Sequence, residues 1–234
     1  MRDYFTFNGT DSTQYGCVIE KRPDYVAPEK VLERFSVRGR SGDLVIDTGA
    51  YKNVTLPYNI FVPHNQVSAF VNWLKSQVGY LRLEDTYETD VFRMALYEDE
   101  LTVDNIMAQF GQATIEFNAK PQRFLKSGET VQTFTSSGGT LTNDYEVALP
   151  LITITGSGEI TFSINNNAVT ISTISTSITL DAETQNCYRG STNLNSTVAL
   201  TNKFPILEKG LNTISWSGSG SVTKVEITPR WWKL

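Results

Sequence analysis

Leu151-Ile152-Thr153-Ile154-Thr155-Gly156-Ser157-Gly158-Glu159-Ile160-Thr161-Phe162-Ser163-Ile164, followed by Asn165-Asn166-Asn167-Ala168-Val169-Thr170-Ile171, decides the fold class of this chain. Apolar side chains alternate with hydroxyls at the period of two that a strand shows when it buries one face. Gly156-Ser157-Gly158 predicts a turn between strands at 151–155 and 159–164. The three asparagines predict a hairpin apex, because Asn tolerates positive φ. The same texture returns at Ser177–Leu180, Thr213–Trp216 and Val222–Ile227, the last two flanking Ser217-Gly218-Ser219-Gly220-Ser221. Short strands joined by turn residues at this spacing read as a β-sandwich of jelly-roll or galectin type.

Upstream the texture changes. Residues 1–125 carry 30 charged side chains and residues 126–234 carry 15, while 33 of the latter stretch are Ser or Thr. The break falls at Lys126-Ser127-Gly128-Glu129, after Lys120-Pro121-Gln122-Arg123-Phe124, and predicts two domains, 1–126 and 127–234. The first reads as short strands around one helix. Arg34–Val37 and Asp43–Asp47 flank Arg38-Gly39-Arg40-Ser41-Gly42, a hairpin with an exposed loop. Pro57, within the strand 53–62, argues for a sheet edge or a bulge. Val67, Phe70, Val71, Leu74 and Val78 form one apolar stripe at helical spacing, with Trp73 beside it and Gly79 as a stop, predicting a helix over 65–78. Strands resume at 79–83, 91–97 and 113–119. The fold class is thus mainly β: a β-rich α+β first domain with one helix, and a C-terminal sandwich.

Chemistry is sparse. The 234 residues hold one histidine, His64, and two cysteines, Cys17 and Cys187, too far apart for a short metal-ligand spacing. Both cysteines read as free, partly buried thiols. No nucleophile elbow, phosphate loop or metal-protease signature is present. The acids Glu84, Asp85, Glu88, Asp90, Glu98, Asp99, Glu100 and Asp104 fall between strands, where charge marks solvated loops, and they lack calcium-loop spacing. No catalytic residue, metal ligand or cofactor is expected, and the chain does not read as an enzyme. A net charge of −5 argues against a specific nucleic-acid face. No apolar run approaches a membrane span and no signal-peptide core opens the sequence, so membrane insertion and export are not expected. One binding chemistry stays open: Tyr188, Arg189, Asn193, Asn195 and Trp216 could stack and hydrogen-bond a cell-wall glycan, or simply be core and turn residues. Trp231-Trp232 point to opposite faces of an extended segment and suit either a core or an interface.

The order of several segments resembles the distal tail protein (Dit) family of long-tailed siphophages. It runs through Val37-Arg38-Gly39-Arg40-Ser41-Gly42-Asp43-Leu44, Gly49-Ala50-Tyr51-Lys52-Asn53, Trp73-Leu74 and Gly79-Tyr80-Leu81-Arg82-Leu83. Ile115–Phe124 then varies the F-x-C-K-P-F-like closing segment of the family's first domain. Pro150–Gly158 is like the P-x-I-x-I-x-G-x-G strand, Ser177–Glu183 like I-x-I-D-x-E, and Phe204–Trp216 like F-P-x-L-x-x-G-x-N-x-I-x-W. Pro229-Arg230-Trp231-Trp232 closes the chain as P-R-W-x does there.

The resemblance implies a structural virion protein at the distal end of a phage tail, made in the host cytoplasm. It implies a homo-hexameric ring, built by the first domain, with a short galectin-like second domain projecting outwards. Its partners would be the tail-tube protein above, the tail-associated lysin or fibre protein below, the tape-measure protein passing through the channel ahead of DNA, and a receptor-binding protein. A closed ring needs a heterologous interface, for which Arg38, Arg40, Asp43 and Leu44 of the hairpin and Phe70 and Trp73 of the helix are the candidates. The alternative is a glycan-binding module using Tyr188, Arg189, Asn193 and Trp216.

Overall fold

A computed structural model of the chain describes residues 2–21, 23–107 and 110–234, with residues 104–107 and 110 described by backbone alone. It is mainly β, with one α-helix among the described residues. The chain divides into two compact units: residues 1–123 together with Leu234, and Phe124–Lys233.

The first unit contains β1 (Phe5–Phe7), β2 (Thr10–Asp11), β3 (Val18–Lys21), β4 (Lys30–Phe35), β5 (Leu44–Tyr51), β6 (Val54–Pro63), α1 (Val67–Lys75), β7 (Leu81–Asp85), β8 (Val91–Leu96), β9 (Asp104–Met107) and β10 (Phe110–Ala119). Its antiparallel sheet runs β2-β1-β7-β8-β10-β6-β3, with β9 also on β10, while among the described residues β4 and β5 pair only with each other. Alternation in β6 buries Val54, Leu56, Tyr58, Ile60 and Val62 on one face, and α1 adds Phe70, Trp73 and Leu74 to the same core. Trp73 stacks on Tyr15 at 5.0 Å and on Phe5 at 6.0 Å, and Phe117 meets Phe7 edge-on at 4.9 Å. Such pairs add to what area burial alone contributes.

One expectation needs correction here, and another holds. The helix is shorter than its apolar stripe. Ser76 and Gln77 side chains donate to the carbonyl of Trp73, and the Ser76 N–H to that of Asn72, so local side-chain bonds cap the last turn. Val78 falls beyond the cap and is 86% exposed. Pro57 lies at a local sheet edge, as its sequence position suggested. β6 pairs with β10 along its whole length, but β3 reaches only as far as Asn59, so Pro57 sits where the second neighbour has ended and no N–H is needed.

β11 (Arg123–Leu125) spans the boundary. The second unit continues with β12 (Gln132–Phe134), β13 (Gly139–Asn143), β14 (Leu151–Ile164), β15 (Asn167–Ile174), β16 (Ser177–Asp181), β17 (Asn186–Arg189), β18 (Thr192–Asn193), β19 (Val198–Leu200), β20 (Gly210–Ser217), β21 (Ser221–Thr228) and β22 (Trp232–Lys233). One sheet runs β12-β21-β14-β16-β17-β18; in the other β14 pairs β15 and β20, which pair β19 and β13. Segments 151–155 and 159–164, read as two strands, are one strand that serves both sheets. Its first half pairs with β16 and β21 and its second half with β15 and β20. The glycines make the change of sheet possible. A side chain at Gly156 would stand 2.2 Å from the Ser221 carbonyl oxygen, and Gly158 has φ +83° against Gly220. The asparagine apex forms as read: Ile164 faces Asn167 across a two-residue turn with Asn165 at φ +52°. Ile152, Ile154, Ile160, Phe162 and Ile164 of β14 are all buried with Ile178, Leu180, Ile214, Val225 and Ile227.

Candidate assembly surface

Among the described residues, the β4–β5 ribbon adds no side chain to the first unit's core. Between residues 32 and 50 every residue is exposed, and Leu32, Phe35, Val37, Leu44, Val45 and Ile46 each show 37–50% of their surface. Its register places Glu33 opposite Ile46 and Phe35 opposite Leu44 on one face, and Leu32 opposite Asp47 and Arg34 opposite Val45 on the other. Both faces are therefore apolar in part, and neither rests on the chain's own core. Local bonds hold the ribbon together. Lys30 pairs with Asp47 at 2.7 Å, Lys52 with Glu29 at 3.1 Å, and the Thr48 hydroxyl donates to the Val31 carbonyl at 2.7 Å. The Lys30 hydrogen bond, with the Gly49 N–H, pulls the Asp47 carboxyl below its ordinary value, and Asp47 in turn raises Lys30. At the tip Gly39 and Gly42 both adopt φ +82°, which brings Arg38, Arg40 and Asp43 to the end of the arm. A lone two-stranded hairpin is at best marginal in water. Patches this apolar mark interaction sites.

Four of the six ring-interface candidates lie on this arm: Arg38, Arg40 and Asp43 at its tip and Leu44 at the start of β5. The other two do not. Phe70 is fully buried and Trp73 is 8% exposed, both inside the first unit's core, so the surface that α1 leaves outside is Ser68, Ala69, Asn72 and Lys75. Sequence reasoning passed over Leu32, Phe35, Val45 and Ile46. Their signal was legible: Leu44-Val45-Ile46 is apolar at consecutive positions, which a strand covered on one face does not require.

A cavity of about 150 Å³ opens in the first unit between residues 23–26 and the end of the sheet. Tyr58, Tyr25, Tyr87, Phe92, Leu56 and Leu83 wall it, with Asp24, Glu84, Asp85, Glu88 and Arg93 supplying charge. The Tyr58 hydroxyl donates to Asp85 Oδ2 at 2.9 Å, and Asp85 Oδ1 accepts the Tyr87 and Glu88 N–H groups, each at 2.9 Å. Burial, then the Asp85 charge, raise the Tyr58 hydroxyl. Glu88 pairs with Arg123, and Glu84 with Arg82. Arg93 is pushed down by burial and by the neighbouring Arg123 charge, and its Nη1 is buried without a hydrogen-bond partner among the described residues. Of the acids read as solvated loops, Glu84, Asp85 and Glu88 thus belong to this cavity wall; the side chain of Asp104 lies outside the described residues. Among the described residues no group of three or more His, Cys, Asp or Glu could hold a metal ion, and no helix is long and apolar enough to cross a membrane.

The glycan candidates do not share a face. Tyr188 stands opposite Asn193 on β17 and β18, on the side away from the buried Cys187. Trp216 lies in the other sheet, opposite buried Phe162 and in phase with buried Ile214, hence on an inner face. The polar members are used locally. Arg189 donates to Ser175, Asn193 accepts the Asn195 N–H, and Asn195 accepts the Cys187 N–H at 2.6 Å. The closing tryptophans are anchored within the second unit: Trp231 is buried with its carbonyl on the Leu125 N–H, and Trp232 Nε1 donates to the Val147 carbonyl at 2.9 Å.

No family model and no curated protein matches the sequence. Among solved structures, the chain is similar to the crystal structure of the SPP1 Dit protein, described as a paradigm of the hub adsorption apparatus in phages infecting Gram-positive bacteria. The TM-score is 0.75 at 12% identity, over 100% of this chain and 99% of that one. The chain has the fold of the SPP1 Dit protein.

Proposed function

We propose that this chain is a structural component of the tail tip of a long-tailed bacteriophage, a hub that assembles from copies of itself and sits in the virion at the distal end of the tail. The observation that carries this reading is the β4–β5 ribbon, a 22-residue arm with six large apolar side chains that its own chain leaves uncovered. The fold shared with a phage hub protein supports it, as does the sequence resemblance. In this reading the first unit forms a six-membered ring around a channel for the tape-measure protein and DNA, and the second, galectin-like unit projects outwards. The ring joins the tail tube to the lysin or fibre protein and performs no catalysis.

Light scattering coupled to size exclusion, with negative-stain imaging of the peak, tests it. Six copies of 26.1 kDa give about 157 kDa, and a ring of that mass with a central hole is the expected result. A chain that stays at 26 kDa alone and in the presence of tail-tube protein overturns the reading.

A further inference from the structure

The turn between β1 and β2 carries the only Asn-Gly pair of the sequence, Asn8-Gly9. We propose that Asn8 is the chain's site of spontaneous deamidation, converting to aspartate or isoaspartate, and that the Gln77 side chain sets the rate by holding the amide that must leave. The site is independent of the assembly reading above.

Position comes first. Phe7 pairs with Thr10, which leaves Asn8 and Gly9 as a two-residue turn. Both are exposed and stand at φ +50° and +75°, the positive-φ pattern that favours Asn-Gly. The reaction joins the Gly9 backbone nitrogen to Asn8 Cγ. The nitrogen gives its proton to hydroxide, the new C–N bond forms, and the Cγ–Nδ2 bond breaks. The departing group takes a proton from water, leaves as ammonia and regenerates the hydroxide. Water then opens the cyclic imide, giving aspartate by attack at Cγ and isoaspartate by attack at the Asn8 main-chain carbonyl. Nothing is oxidised or reduced. A side chain on the following residue crowds the attack. Gly9 has none, and nothing lies within 4 Å of the point where its Cβ would stand, whereas every other asparagine precedes a residue with a side chain.

Restraint comes second. Asn8 Nδ2 donates to Gln77 Oε1 at 2.9 Å, and Gln77 Nε2 donates to the Trp73 carbonyl at 3.2 Å, at the end of α1. The bond to Trp73 fixes which end of the Gln77 amide faces Asn8, so Oε1 is the acceptor and the Asn8 amide is held in place. The Asn8 N–H donates to the Arg82 carbonyl at 2.9 Å and anchors the turn on one side. On the other side β2 is two residues long at the edge of the sheet, where local opening costs little. In the product the donor is gone. An aspartate oxygen then faces Gln77 Oε1, so Gln77 must turn its amide away from Trp73 or the turn must part from α1.

Peptide mapping tests this. The whole chain is kept in mildly alkaline buffer beside a synthetic peptide of residues 4–13 and sampled with time. The tryptic fragment 3–21, whose only asparagine is Asn8, is weighed for the change from an amide to an acid. Asn8 is expected to convert before any other asparagine, about ten times more slowly in the folded chain than in the peptide, because the turn must open first. Gln77→Met removes the acceptor and should raise the folded-chain rate about fivefold, the worth of one hydrogen bond. Gln77→Glu keeps an acceptor but also loses the bond to Trp73, and it should stay at or below the wild-type rate. An intact Asn8 after the peptide has fully converted, or another asparagine converting first, overturns the site. Equal rates in the Met and Glu variants overturn the part played by Gln77.

Discussion

At Asp181 two effects compete. Burial alone would raise its carboxyl, but the Arg230 guanidinium at 2.7 Å, with the Glu183 N–H, outweighs burial and holds it below the ordinary 3.8. A depressed carboxylate contributes stability that is present above its unfolded value and lost as pH falls through the folded one. Thermal melts of the wild type should therefore lose stability as pH falls below the ordinary carboxylate value of 3.8. Arg230→Leu should flatten that dependence and cost about 2 kcal/mol at pH 7. An unchanged acid limb in the variant would refute the pairing. The cysteines give a second test. Burial pushes Cys17 up to about 12, against a lowering hydrogen bond from Ser12, and Cys187 up to about 11. Neither thiol should react with an aromatic disulfide reagent at pH 8 until the chain unfolds, when two equivalents should appear. Their reading as free, partly buried thiols followed from number and spacing, and the structure buries both fully. The network around Arg93 did not, because Tyr58, Asp85 and Arg93 come from three strands and no local pattern links them.

Strands were legible wherever one face is buried, since alternation is then enforced by water. The strand 151–164 was legible in all but its continuity. Gly156 and Gly158 look like turn residues when read alone, and only the opposed Gly218 and Gly220 reveal a close backbone approach instead. Gly156→Ala should therefore destabilise the chain by about 1–3 kcal/mol through overpacking, whereas an alanine in a true turn would be cheap. Denaturant melts decide between the two. The helix was legible in place and face but not in length, because capping by Ser76 and Gln77 overrides the apolar spacing that reaches Val78. The ribbon was legible as a hairpin with an exposed loop. That its strands also lie free was not, since apolar residues on both faces look the same whether they are covered by the chain itself or by another one.

For the whole molecule, the separation of folding from assembly is the useful property. Phe35 and Ile46 contribute to no core, so Phe35→Ser with Ile46→Ser should leave the melting temperature within about 2 °C of the wild type. The same pair should abolish the ring in light scattering. A large loss of stability would mean that the ribbon packs on its own chain after all. Limited trypsin digestion reads the same property from outside. Arg34, Arg38 and Arg40 should be cut in the dispersed chain and protected in the assembly.

Under the proposed assembly through the exposed ribbon, copies join head to tail, with one consequence for how they are counted. Any open row of copies keeps one arm empty-handed at one end and one unfilled seat at the other. Adding a copy only moves these vacancies along, whereas closure removes both at once. The last bond forms between ends already tethered, at an effective concentration far above that of free chains. Partial arcs should therefore be scarce at every dose, and the population should split between single chains and finished circles.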